Sequence, residues 1–196
     1  MSARGYEHIH VIAETARQPL IPNGVMGMLI FVSAEAMLFA GLISAFEVTR
    51  SAAIAWPPLG QPRLPVGETL INTSALLLSG VMFYVARRKF RANSTSARTP
   101  LLISLLLGAF FVIFQGAEWV ALVREGLTLT SSTYGGFFYL IVGLHALHAI
   151  AALAVLTLAC LQLQRGWLAS SQLATAGVFW YFVVGLWPIL YGLVYL

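Results

Sequence analysis

Along the chain, apolar runs of about twenty residues or more alternate with short polar stretches, and each run can cross roughly 30 Å of hydrocarbon as a helix. Five runs stand out, at about 25–49, 67–86, 100–123, 134–163 and 173–196. Between them lie Arg50 to Val66, which holds Trp56-Pro57-Pro58 and Gln61-Pro62-Arg63-Leu64-Pro65, then Arg87 to Thr99, Arg124 to Thr133 and Gln164 to Gln172. None of these connections has the length of an extramembrane domain. The pattern predicts an all-α polytopic membrane protein, with a five-helix transmembrane bundle over residues 25–196. Residues 1–24 mix charge with His8, His10 and two prolines, and read as an interfacial tail. They do not read as a signal peptide, because the apolar run that follows is too long and lacks a small-residue cleavage site.

Composition narrows the class. Of 196 residues, 59% are hydrophobic, 12% aromatic and only 9% charged, whereas soluble domains hold about 45–50% apolar and about 25% charged residues. The mean hydropathy is +0.85. Disorder and coiled coil are excluded, and a single cysteine cannot form a disulfide scaffold. Eleven Lys and Arg against seven acids give a net charge of +4. Much of that excess sits in Arg87-Arg88-Lys89-Phe90-Arg91, a run that in a membrane protein reports orientation rather than a nucleic-acid partner. All seven acids are Glu.

Basic residues are unevenly shared between alternate connections. Eight fall on the side of the tail and the second and fourth loops: Arg4, Arg17, Arg87, Arg88, Lys89, Arg91, Arg98 and Arg165. Only three, Arg50, Arg63 and Arg124, fall on the other. The positive-inside rule then places the N-terminus in the cytoplasm and Leu196 outside. In that position Arg87, Arg88, Lys89 and Arg91 would meet anionic lipid headgroups.

Small residues at helical spacing predict close helix packing: Ala36, Ala40 and Ser44, Ser104 and Gly108, and Gly177 and Gly185. Pro188 should interrupt the last helix near its outer end. The aromatic run from Trp187 to Tyr195 partly fits an interfacial belt, whereas Trp180 and Tyr181 lie too deep for one.

Polar residues at depth carry the chemical information, since each is expensive in hydrocarbon unless paired, neutralised or wetted. Glu35 is near the middle of the first span. His145 and His148 share a face of the fourth, being three residues apart. Gln115 and Glu118 repeat that spacing on the third, and Asn72 and Ser79 form a stripe on the second. Several of these groups are expected to converge inside the bundle, with Glu35 either neutral or bonded to His145 or His148. A structural network, proton handling and headgroup binding are the readings open to them. Metal binding is not expected: the Glu-x-x-His motif of di-iron bundles is absent, and one helix cannot offer bis-histidine haem ligation at this spacing. Phosphate-cradling loops, a serine elbow and paired catalytic carboxylates are absent too. The sequence shows no reaction centre of its own.

Several stretches together suggest a family. Gly27 to Gly41, with Glu35 inside it, resembles the first helix of the short, five-helix bacterial form of subunit III of the haem–copper terminal oxidases. Trp56-Pro57-Pro58 followed by Leu70-Ile71-Asn72-Thr73 is similar to that family's outer loop and helix start. Gln115-Gly116-Ala117-Glu118-Trp119 resembles its Gln-x-x-Glu-aromatic pattern. Thr133-Tyr134-Gly135-Gly136-Phe137-Phe138, running into Gly143-Leu144-His145-Ala146-Leu147-His148, is similar to its Tyr-Gly and Gly-x-His-x-x-His motifs. One motif departs: where the family has Trp-His-Phe-Val-Asp, this chain has Trp180-Tyr181-Phe182-Val183-Val184, without the histidine and the aspartate.

The resemblance implies an accessory subunit of the bacterial cytoplasmic (inner) membrane with no cofactor in this chain. Haem and copper would reside in the partner subunits, the catalytic subunit I and subunit II. A bound phospholipid, support of proton uptake and durable turnover are further implications. Cytochrome c oxidase, quinol oxidase and the related nitric oxide reductase accessory chains all fit the resemblance. The chief alternative from the residues alone is a small transporter or channel using Glu35 and His145/His148, with a purely structural scaffold as a third reading.

Overall fold

The computed structural model describes residues 21–196 apart from Leu59, so the tail residues Arg4, His8, His10 and Arg17 lie outside the described part. It contains five long helices: α1 (Asn23–Ala52), α2 (Val66–Ala92), α3 (Arg98–Arg124), α4 (Thr133–Gln164) and α5 (Ser170–Leu190). All five are long and apolar enough to cross a membrane. Among the described residues there is no strand.

The chain folds up and down. Arg50, at the end of α1, donates to the carbonyl of Leu193 after α5, and Arg98, at the start of α3, donates to the carbonyl of Gln164 at the end of α4. Those two contacts mark the two ends of the bundle. The α3–α4 and α4–α5 turns are built alike. Gly126 and Gly166 take φ of +95° and +76°. The following amides, Leu127 and Trp167, reach back to Leu122 and Gln162 at 2.9 Å each. Glycine without a Cβ closes both helices this way at little steric cost. At the start of α4 the Ser132 hydroxyl accepts from the Gly135 amide at 3.1 Å. At the start of α5 the Gln172 side chain accepts from the Ala169 amide at 3.0 Å.

The predicted spans lie inside the observed helices, with two corrections. The basic run Arg87–Arg91 is not a loop: α2 continues through it to Ala92. Arginine and lysine are good helix formers, their charge suits a helix C-terminus, and their long stems carry it toward water. The last span is α-helical only to Leu190, and Tyr191–Tyr195 form a wider, π-type turn. It follows Pro188, which has no N–H to give the Val184 carbonyl.

Packing is tightest where small residues meet large ones. Ser79 and Ser104 clamp α2 to α3, each hydroxyl donating to the other's carbonyl, at 3.1 and 2.9 Å. Trp180 of α5 lies over Gly108 of α3, where an added Cβ would stand 2.5 Å from its ring. Phe83 of α2 lies against Gly177 of α5 in the same manner. The expected seam on α1 is not used within the chain: Ala36, Ala40 and Ser44 are exposed, as is Gly185 on α5. Helix α1 instead sits at the edge of the bundle and buries only Phe39 and Phe46. Phe46 meets Trp56 edge-on at 5.4 Å, and Phe31 meets Phe179 at 5.8 Å.

These contacts distinguish two glycines of the same helix. Gly108→Ala forces Trp180 to move and should lower stability by about 1–3 kcal/mol. Gly116→Ala, with open space around its Cα, should be neutral or slightly stabilising. Thermal unfolding of both variants in detergent checks the difference, and equal stability would contradict the close approach.

Candidate functional site

Apart from the Ser79–Ser104 pair, the deep polar residues form two clusters with a histidine between them, rather than one network. The larger cluster joins α2, α3 and the C-terminal turn, and Gln115 is its centre. Its amide nitrogen donates to Glu118 Oε2 at 2.8 Å and to the Tyr195 hydroxyl at 3.1 Å. Its oxygen accepts from Asn72 at 3.4 Å, and Asn72 also donates to the Phe111 carbonyl at 3.2 Å. Thr69 brings its hydroxyl within 3.2 Å of both Glu118 oxygens, while lying 2.8 Å from the Pro65 carbonyl. Trp187 Nε1 donates to Thr73 Oγ1 at 2.8 Å, and the Thr73 hydroxyl donates to the Thr69 carbonyl at 2.7 Å. Asn72 and Thr69 are fully buried, Gln115 and Glu118 nearly so. No Lys, Arg or His of the described residues pairs with Glu118. The carboxyl is held by neutral partners.

The second cluster is small and lies at the edge. His148 Nδ1 is 2.8 Å from the Leu144 carbonyl. A carbonyl oxygen only accepts, so Nδ1 carries the hydrogen and Nε2 of the neutral ring is a bare lone pair. Nε2 faces Glu35 Oε2 at 3.1 Å. That approach is close enough for an ion pair but off the line of an aligned hydrogen bond, so Oε2 has no bonded partner. With Nδ1 already protonated, a single further proton, on Glu35 or on Nε2, would make this contact net neutral. Phe31, Phe39, Phe179 and Phe182 surround the imidazole with ring centroids 5.6–6.4 Å away. The Glu35 side chain keeps 19% of its surface exposed.

His145 joins neither cluster. It is almost fully buried, 1% exposed, and both ring nitrogens lack partners among the described residues. It packs on Trp187 at 5.1 Å and on the edges of Phe39 and Phe111. It also borders an apolar cavity of about 120 Å³ between α3 and α4. Of the two histidines, Glu35 therefore reaches His148.

Sequence reasoning missed Thr69, Thr73, Trp187 and Tyr195. The threonines were legible, since 69, 72, 73 and 79 fall on one face of α2. Trp187 and Tyr195 were read as a belt, yet they are 1% and 7% exposed and bonded into the larger cluster. The basic residues Arg87, Arg88 and Arg91 border a cavity of about 490 Å³ at the end of α2, together with Tyr84 and Tyr181. Lys89 is not among its lining residues. Among the described residues no three His, Cys or carboxylate side chains gather where they could hold a metal ion.

Comparison with known proteins decides the family. Residues 5–196 match the family model described as Cytochrome c oxidase subunit III. The chain belongs to the cytochrome c oxidase subunit III family. It is 34% identical over 187 residues to the probable cytochrome c oxidase subunit 3 of Nocardia farcinica, covering 89% of this chain and 88% of that protein. The probable subunit 3 of Mycobacterium leprae is 33% identical over 184 residues, with the same coverage of 89% and 88%. The cytochrome c oxidase subunit 3 of Oryctolagus cuniculus is 32% identical over 189 residues, covering 90% of this chain and 71% of that one. Family membership gives the chain the character of a multi-pass membrane protein that is part of an oxidase complex, as an accessory subunit.

The geometry singles out Gln115 as the junction of the larger cluster. Gln115→Leu strands buried groups on Asn72, Glu118 and Tyr195 together and should destabilise the bundle by about 1–3 kcal/mol or more. Thermal unfolding against a Gln115→Glu control measures it. A Gln115→Leu variant as stable as the parent would rule out the shared network.

Proposed function

We propose that this chain is the cofactor-free third subunit of a bacterial respiratory cytochrome c oxidase in the cytoplasmic membrane. It sits beside catalytic subunit I, with subunit II in the same complex, and those partners hold the haems and copper. In this reading the oxidase reduces oxygen, and the present chain binds phospholipid and supports proton uptake and sustained turnover. The names of the relatives favour cytochrome c over quinol as electron donor, and family membership favours a subunit over an independent transporter or channel.

The observation that carries the supporting role is the contrast between two carboxyls. Glu118 is enclosed, has neutral partners and suits a structural duty. Glu35 faces His148 Nε2 at 3.1 Å, has no aligned bond to lock it, and is partly open at the edge of the bundle. A net-neutral pair that can hold its proton on either atom tolerates hydrocarbon, because it avoids an isolated charge. It can also exchange that proton with a donor arriving from outside the chain.

Two outcomes test this function. In the assembled oxidase, Glu35→Gln should leave the initial rate of oxygen reduction within about twofold of the parent while activity declines several-fold faster during sustained turnover. Haem content and co-migration of this chain on native electrophoresis must be unchanged for the comparison to count. Immediate loss of oxygen reduction in a fully assembled complex would move Glu35 onto the catalytic path, and unaltered durability would leave the pair purely structural.

The orientation is tested separately. A cysteine at position 88 should react with a membrane-impermeant reagent from the cytoplasmic side only, and one at position 63 from the outside only. The opposite labelling would invert the topology.

A further inference from the structure

Tyr84, Arg87, Arg88 and Arg91 recur on α2 at intervals of three, four and seven residues, so they form one stripe. Together with Tyr181 of α5 they line the cavity of about 490 Å³ at this end of the bundle. Lys89, only one residue from Arg88, points about 150° away from the middle of the stripe on helical geometry. The placement of charge is one-sided. Of the glutamates in the described part, Glu47, Glu68, Glu118 and Glu125 lie toward the other end of the bundle and Glu35 lies near the middle of α1. Glu7 and Glu14 lie outside the described residues. None of the three arginines has a carboxylate partner among the described residues. The Tyr181 hydroxyl is buried there and has no hydrogen-bond partner either.

We propose that this cavity is a binding site for the phosphodiester headgroup of an anionic membrane phospholipid. Guanidinium groups match phosphate oxygens with paired N–H donors, and an unpartnered phenol beside them offers one more. A bound anion relieves the repulsion among like charges held at neighbouring positions on one helix face. The depth is right as well. From Arg87 to the end of α2 at Ala92 is about 8 Å of helix, which matches the roughly 5–8 Å of headgroup region on one side of a bilayer. The exposed Tyr84 ring extends the wall toward the acyl region, where an amphipathic ring is favoured. The site deepens the phospholipid binding proposed above, and rests on that reading only in setting this end of α2 at a membrane surface.

The test uses the purified complex that contains this chain, stripped of lipid in detergent and titrated with dioctanoyl-phosphatidylglycerol, with bound lipid counted by native mass spectrometry. Arg87→Gln and Arg88→Gln should each weaken binding at one site by about tenfold or more, and Arg88→Lys should recover only part of it. Lys89→Gln removes the same charge from the same membrane surface and should leave binding within about twofold. Tyr181→Phe deletes only an unpartnered hydroxyl, so it should keep the fold intact and still weaken binding several-fold. Dioctanoyl-phosphatidylcholine, with no net charge, should bind about tenfold less well. Equal losses in the Lys89 and arginine variants would overturn the proposal, because they reduce it to general surface charge. So would unchanged binding in the arginine and Tyr181 variants, or glycerol phosphate binding as tightly as the lipid. A carboxylate of a partner subunit found in the cavity of the assembled complex would overturn it too. Haem content is read on the same samples. Lipid selectivity in a chain that carries no haem-containing partner would overturn the oxidase assignment and leave the headgroup site standing.

Discussion

The amide of Gln115 is the junction on which the half of the bundle holding the ends of α1, α3 and α5 depends. A bilayer interior supplies no water, so each polar group that enters must be satisfied by protein. A carboxamide has two hydrogens to give and one oxygen to offer. Gln115 spends one hydrogen on Glu118, the other on Tyr195, and its oxygen on Asn72. In doing so it ties α3 to α2 and to the turn beyond α5. Thr69 and Thr73 extend the same set along α2 to Trp187. Association by apolar contact alone is weak when lipid is equally apolar. Hydrogen bonds of this kind, and the close approach at Ser79 and Ser104, are therefore what separates this bundle from five helices that merely share a membrane.

Close packing and polar bonding reinforce each other here. The serine clamp brings α2 and α3 near enough for Asn72 to reach the Phe111 carbonyl, a backbone acceptor already engaged within its own helix. Trp187 meets Phe111 edge-on at 4.8 Å while its N–H reaches Thr73, and the adjacent turn brings Tyr195 back against the edge of the same side chain. Pro188 has a part in this. By withholding one helical hydrogen bond it is followed by a widened turn, and that turn returns a tyrosine to the interior rather than to the interface.

Much of the fold was legible because the signal that sets it is length. An apolar run of twenty residues in a chain with so little charge has few options besides a spanning helix. Helix ends were less legible. The basic run after residue 86 looks like a loop by hydropathy, yet arginine and lysine extend a helix readily when their heads can reach the headgroups. The site was legible residue by residue but not as an arrangement. Glu35, His148, Gln115, Glu118 and Asn72 announce themselves as costly residues at depth, whereas sequence spacing says nothing about which helices are neighbours. That is why His145 and His148, three residues apart and on a shared face, have different surroundings: a wall of Trp187 and Phe111 for one, a carboxyl for the other. Tyr195 was hidden for a different reason. A tyrosine near the end of a span is usually an interfacial anchor, and only the turn geometry after Pro188 makes this one a hydrogen-bond acceptor.

The position of α1 gives the Glu35–His148 pair its character. This helix presents its small-residue stripe outward and is fixed to the others mainly by the aromatic side chains of Phe31, Phe39 and Phe46. Edge-to-face aromatic contacts hold two helices together without demanding any donor or acceptor. Apart from the Arg50 bond to Leu193 at the helix end, the Glu35–His148 contact is the polar contact of that seam among the described residues, and it bears little structural load, unlike the bonds around Gln115. A carboxyl that carried the bundle would have to be tied to more than one neighbour, as Glu118 is to Gln115 and Thr69. Glu35 has one close partner, imperfect alignment and a partly open face. Within one small bundle the two carboxyls thus differ in their surroundings: Glu118 is enclosed and tied to its neighbours, whereas Glu35 lies at an edge with part of its surface open.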